Sequence, residues 1–364
     1  MKVSYNKYKE MNEFLRFDLR KEFNKVLSFD TDSELYNYQS KGEKYIGKFL
    51  GRGYAIGTSC GTAALSLTQK ALDIKGEVIT VAHTYISTAL SISEAGAIPK
   101  FIDVNPNTML IDDNLIEDAI TEKTRAIIPV HLYGQMANMP KINRIAKKYN
   151  LHIIEDACQA HLAKYNGKMP GENSDATCYS FFLNKNLGGI SNGGMAITKN
   201  KKLKKTIDIF RNPDSDNPLV LKSFRTPAYL DWIQQTFIRC KLKYLDEWIK
   251  KKRQIAKRYC EELDGHISIP ETDKKAYHTY RNFVIRVKNR DKLKKYLAKK
   301  GIETHIHYNT PIHLSNTYKH LKYKKGSLPV SEKISSSILS LPINPFITRT
   351  EQEYVIKNIK KFIS

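Results

Sequence analysis

Tyr179-Ser180-Phe181-Phe182-Leu183-Asn184-Lys185-Asn186-Leu187-Gly188-Gly189, read with the upstream run Ile153-Ile154-Glu155-Asp156, decides how this chain folds. An apolar run ending in acids is a strand whose carboxyl end reaches a polar edge. The second stretch brings a hydroxyl, a lysine and two glycines close together in the chain. Working outward, short apolar runs recur at Glu77–Val81, Pro99–Val104, Ala126–Val130, His152–Ile154 and Met195–Thr198. Helix-like segments lie between several of them, at Ala63–Leu72, Ile86–Ala95 and Met139–Asn150. Continuous apolar strands separated by helices indicate an α/β fold with a mainly parallel sheet covered on both faces. Ligands of such sheets collect at the carboxyl ends of the strands. Asp156, His131 and the turn Thr58-Ser59-Cys60-Gly61-Thr62 all follow apolar runs and are expected at that edge.

Beyond this region a basic amphipathic stretch, about Tyr229–Leu263, leads to a second strand-and-helix part. It starts at Tyr280–Val287, continues through a helix-like Asp291–Lys300 stopped by Gly301, and ends in a helix at Glu351–Ile363. The expected division is residues 1–245, a large α/β domain, and 246–364, a smaller α+β domain.

Bulk composition narrows the function classes. A chain of 364 residues with 41% hydrophobic and 10% aromatic content is globular and long enough for two domains. The first residues lack an apolar signal-peptide core, and no stretch approaches the roughly 18 apolar residues of a membrane span. Five cysteines without CxxC spacing favour reduced thiols and a cytoplasmic setting over a disulfide scaffold. The net charge of +23 is spread over separate lysine runs, at 201–205, 250–253 and 322–325. No recognisable nucleic-acid motif surrounds them, so they read as solvated faces that also attract anionic, nucleotide-linked substrates.

The chemistry rests on a set of residues rather than on one. The turn before Ala63 is rich in small residues and opens a helix, so free N–H groups can meet a phosphate there; the Ser180 hydroxyl offers a second contact. Tyr85 follows a strand and can stack on a flat ring. Asp156 can face a pyridinium nitrogen; such pairing moves a pKa by about 1–3 units and keeps the ring protonated. Lys185 supplies the amine for a Schiff base. Together these are the parts that hold pyridoxal 5'-phosphate. No compact His/Asp ligand set surrounds the two acids, so no metal is expected.

These motifs resemble the sugar-nucleotide aminotransferases of the DegT/StrS family, of the aspartate aminotransferase fold (fold type I). The likeness runs through Gly61-Thr62-Ala63-Ala64-Leu65, Val130-His131-Leu132-Tyr133-Gly134-Gln135, Ile154 to His161, Lys185-Asn186-Leu187-Gly188, Lys243 to Trp248 and His307 to Leu314. It implies a seven-stranded sheet with a small C-terminal domain and Lys185 as Schiff-base lysine. It also implies Asp156 at the ring nitrogen, Gln159 near the ring hydroxyl and Tyr85 stacking. Thr62, Ala63 and Ser180 would hold the phosphate, and His307 and Tyr308 would lie near the substrate entrance. A homodimer with shared active sites, glutamate as amino donor and a nucleotide-linked keto-deoxysugar as acceptor follow from the same likeness. One branch of the family carries histidine at the lysine position and dehydrates its sugar; Lys185 argues for transamination.

The chain departs from the pattern at one loop. The family's asparagine that reaches the neighbouring subunit's phosphate becomes Pro227, and its arginine becomes Tyr229. Proline has no side-chain donor, so Ser223 or Arg225 is expected to reach in instead. The altered loop keeps open different chemistry on the same cofactor, amination of a small phosphorylated ketone or decarboxylation of an amino acid; a basic regulatory or nucleic-acid-binding protein on the same fold is a separate, non-enzymatic alternative.

Overall fold

The structure is a computed structural model that describes residues 1–51, 53–212, 214, 216–222 and 227–363. Two helices, α1 (Tyr8–Leu27) and α2 (Asp32–Leu50), precede the first strand. The alternation then runs β1 (Tyr54–Thr58), α3 (Gly61–Ala71), β2 (Glu77–Val81), α4 (Ser87–Glu94), β3 (Ile98–Ile102) and α5 (Ile116–Ala119). It continues with β4 (Thr124–Ile127), α6 (Met139–Lys148), β5 (His152–Asp156), the short β6 (Lys164–Tyr165), β7 (Ala176–Ser180), β8 (Gly194–Thr198) and α7 (Lys201–Arg211).

Seven of these strands form one sheet in the order β1-β8-β7-β5-β4-β2-β3. Strand β8 runs antiparallel to both neighbours, pairing Ala196 with Ile56 and with Cys178; the remaining pairings are parallel. Strand β4 is shorter than its apolar run because Pro129 has no N–H for the ladder. Its continuation still lies along the sheet, with Ile128 N–H bonding the Ile79 carbonyl at 2.8 Å.

Period-two alternation sorts the strand residues between two cores. Val78, Ala126, Ile128, Ile154, Cys178 and Ala196 face α3 and α7. Ile79, Ile127, Ile153, Tyr179, Met195 and Ile197 face the opposite layer, with Ile46 of α2 and Ile142 and Ile145 of α6. Both faces are buried, so the sequence shows continuous apolar runs.

The basic stretch expected as one helix-like unit is two helices, α8 (Trp232–Leu242) and α9 (Leu245–Leu263), separated at Lys243-Tyr244. Helix α9 leads into β9 (Ala276–Tyr277), β10 (Phe283–Arg286), α10 (Arg290–Lys299), α11 (Pro329–Ser337), β11 (Ile338–Leu341) and α12 (Arg349–Ile363). Strands β10 and β11 pair antiparallel. With α9, α10 and α12 they enclose a further core of Tyr259, Phe283, Ile285, Leu297, Leu339 and Val355. Gly301 ends α10 at φ +73°, a left-handed conformation that a side chain resists. The N-terminal Val3 enters this same core, its N–H bonding the Gly301 carbonyl at 2.8 Å. No helix among the described residues is long and apolar enough to cross a membrane.

Candidate active site

The site lies where the carboxyl ends of β1 and β5 meet the turn after β7. Successive residues of a strand point to opposite faces, so the paired acids have separate duties. Glu155 turns inward: Oε2 lies 2.7 Å from His131 Nε2, and Oε1 accepts the Gly171 N–H at 2.7 Å. Asp156 turns toward the site and is 5% exposed. Its Oδ2 accepts the Thr88 hydroxyl at 2.8 Å and its Oδ1 the Cys158 N–H at 3.1 Å. No ion pair among the described residues neutralises it. Thr88, in the first turn of α4, carries no sequence signature of this duty.

Lys185 follows Ser180, the last residue of β7. The residue is half-buried, and its amine is densely surrounded. Burial pushes the ammonium down to about 8; the Arg281 cation adds to this, while Cys158 and Asp156 act against it. The turn is held from behind. Lys241 Nζ donates to the Gly188 carbonyl at 2.6 Å, and Lys252 Nζ donates to Asn186 Oδ1 at 2.7 Å. Gln234 Oε1 accepts the N–H groups of Ile190 and Ser191 at 2.8 and 3.2 Å. Lys252 was legible in principle. The buried stripe of α9 reads Leu245, Trp248, Ile249, Lys252, Ala256, Tyr259, Leu263, and helical spacing alone puts this lysine on the apolar face.

Gln159 links two aromatic residues. Its Oε1 accepts the Tyr133 N–H at 2.9 Å and its Nε2 donates to the Tyr308 hydroxyl at 3.0 Å. The Tyr308 ring lies 5.8 Å from that of Tyr85, which is 53% exposed and so keeps a free face. Tyr133 donates to the His307 carbonyl and lies 2.8 Å from His83 Nε2. Because the tyrosine proton is used on His307, the His83 nitrogen is the donor in that pair. Burial holds His83 down to about 4, which leaves it neutral for this role. His307 Nδ1 meets Ser340 Oγ at 2.8 Å, and burial brings its imidazole down to about 3. The His305 and His307 rings lie 6.0 Å apart, with Tyr5 against both.

The remaining candidates gather at the start of α3. Cys60 caps this helix, its Sγ accepting the Ala63 N–H at 3.4 Å, and Thr62 is half-buried in the first turn. A Cβ on Gly61 would stand 2.9 Å from both Cys158 Sγ and Ser180 Cβ. Only glycine lets the helix start approach β7 so closely, and that approach brings Gly61 beside Ser180 and Cys158. The Ser59 N–H bonds the Ala228 carbonyl at 2.9 Å, so the chain just after Pro227 borders this turn. Pro227 itself is exposed. Ser223 and Arg225 lie outside the described residues.

These features fit pyridoxal phosphate. A buried carboxylate without an internal cation suits a pyridinium, the exposed Tyr85 face suits a flat ring, and the helix start with Ser180 suits a phosphate. The fold and site define an aminotransferase of the pyridoxal-phosphate class. The chain matches the DegT/DnrJ/EryC1/StrS aminotransferase family over residues 15–360 and belongs to it. It is 40% identical over 334 residues to a pleiotropic regulatory protein of Geobacillus stearothermophilus, covering 90% of each chain. It is 39% identical over 324 residues to a dTDP-3-amino-3,6-dideoxy-alpha-D-galactopyranose transaminase of Aneurinibacillus thermoaerophilus, covering 88% of each. Among solved structures, S. venezuelae DesV in complex with a ketimine intermediate superimposes with a TM-score of 0.93 at 32% identity, covering 100% of this chain and 99% of that one.

Proposed function

We propose that the protein moves an amino group from glutamate to a keto group of a nucleotide-linked deoxysugar, as a step in making a surface polysaccharide or other glycan. The observation that carries this reading is Lys185, with its depressed amine, set against the unpaired buried carboxylate of Asp156. Bound pyridoxal phosphate supplies an electron sink for the bonds at the amino carbon. Lys185 would hold the cofactor through its amine and would carry the proton moved at that carbon. Asp156, oriented by Thr88, would hold the ring nitrogen's proton, and Tyr85 would cover the ring. Gln159 positions Tyr308 beside it, while Thr62, Ala63 and Ser180 take the phosphate. His307 and Tyr308 border the sugar. The sugar-nucleotide transaminases among the relatives support this substrate class.

The working unit in this reading is a cytoplasmic homodimer with shared sites. Phe182 and Ile190, partly exposed apolar residues flanking the lysine turn, suit an interface beside it. Residues 1–245 and 246–364 form its large and small domains, with the N-terminal Val3 strapped to the small one. Adding glutamate to the yellow holoprotein is expected to shift the visible band and release one 2-oxoglutarate per site. A nucleotide-linked keto-deoxysugar should then restore the band and appear as the amino sugar. No band shift and no 2-oxoglutarate with glutamate would reject the reading.

A further inference from the structure

Arg281 stands two residues before the start of β10 and is 6% exposed. Its Nη1 donates to Asn282 Oδ1 at 2.8 Å, while its buried Nε has no hydrogen-bond partner. No carboxylate pairs with it among the described residues. The acids on neighbouring elements are committed elsewhere: Glu303 accepts the Tyr5 N–H at 2.8 Å, and Asp156 takes Thr88 and Cys158. Arginine is almost never buried unless paired, and an isolated buried charge is costly. The surroundings deepen the imbalance. Arg281 lines a cavity of about 70 Å³ together with Lys185, Lys252, Tyr5, Asn6 and Asn344. Its charge helps hold Lys185, Lys252, His161 and His307 below their ordinary values, after burial. The chamber beside Lys185 is cationic, and no acid among the described residues lines it.

Guanidinium is a planar fork matched to carboxylate. At roughly 10–15 Å³ per water-sized group the cavity has room for about five such groups. That suits a carboxylate on a short stem. We infer that Arg281 is a specificity-determining residue that receives a carboxylate of the substrate beside Lys185. This rests on the aminotransferase reading and adds the chemical class of one substrate group. The carboxylate belongs either to the amino donor or to an acidic sugar.

Calorimetry of the holoenzyme with glutarate, which binds but cannot react, tests the site without turnover. UDP-glucuronate compared with UDP-glucose tests the second source. If the donor is the source, wild type binds glutarate, Arg281→Gln weakens it at least tenfold and Arg281→Lys restores part of the loss. The glutamate concentration for half-maximal band shift then rises in parallel. If the sugar is the source, wild type prefers UDP-glucuronate to UDP-glucose and Arg281→Gln abolishes that preference. Wild-type protein that neither binds glutarate nor prefers UDP-glucuronate overturns the inference, even where the variants do not fold. A change below twofold in both arms for a folded Arg281→Gln protein overturns it as well. Failure of the aminotransferase reading looks different: no amino acid shifts the visible band of wild type, whatever glutarate does.

Discussion

The depressed amine of Lys185 has a rate consequence that can be measured on cofactor-free protein. An ordinary lysine at 10.5 is about one part in a thousand neutral at pH 7.5, whereas one held at about 8 is roughly one quarter neutral. Only the neutral amine attacks an aldehyde, so Lys185 should capture pyridoxal phosphate about two hundredfold faster than an exposed lysine of equal intrinsic reactivity. The assay mixes cofactor-free protein with pyridoxal phosphate across pH 6.5–10.5, follows the visible band by stopped flow, and fixes the product with borohydride for peptide mapping. The expected rate profile rises with a midpoint near 8, and the label falls on Lys185. A midpoint at or above about 10, in the ordinary lysine range, would refute the argument that burial and Arg281 set this amine.

Other perturbations separate chemical from structural duties. Thr88→Val removes the hydroxyl from Asp156 and should weaken pyridoxal phosphate binding by about 1.5–3 kcal/mol, the worth of a hydrogen bond to a charged group; unchanged affinity in a cofactor titration counts against Thr88 as the orienting residue. Glu155→Gln breaks the buried pair with His131 and should cost about 3 kcal/mol in denaturant melts. If instead stability holds and only turnover falls, the assignment of Glu155 to the core is wrong. Lys185 in the cofactor-free protein and the buried Lys241 are both held near 8, so between about pH 8 and 10.5 these two groups bind more protons in the unfolded chain than in the folded one. Stability of the cofactor-free protein should therefore climb with pH from about 8 to 9, before the thiols of Cys158, Cys178 and Cys240, held high by burial, begin to oppose it; a decline between those pH values would contradict the two lysine values. Gly61→Ala places a methyl group 2.9 Å from Cys158 and Ser180 and should cost about 1–3 kcal/mol while weakening phosphate retention; retention is read by dialysis of the holoprotein.

Much of this architecture was readable because both sheet faces are buried, which leaves continuous apolar runs such as Glu77–Val81. Asp156 and Lys185 stood out because an acid at a strand end and a lysine between a hydroxyl and glycines are local patterns. The reversal of β8 was not legible, since a strand's direction depends on where its connections run and leaves no mark on an apolar run. The break at Lys243-Tyr244 was hidden by amphipathic periodicity continuing through it. Thr88 and Arg281 belong to elements far from Asp156 and Lys185 in the chain. Their duties exist only once tertiary packing brings a hydroxyl to a carboxylate and a guanidinium to an amine.

The alternation at the end of β5 makes residues 155 and 156 a two-way switch of assignment. One position in the chain serves endurance and the next serves reactivity, with only the pleat of the strand telling them apart. A single inserted or deleted residue in β5 would exchange them, sending the core's carboxylate into the pocket and the pocket's into the His131 contact. This strand end should therefore tolerate conservative side-chain changes far better than any change in its length.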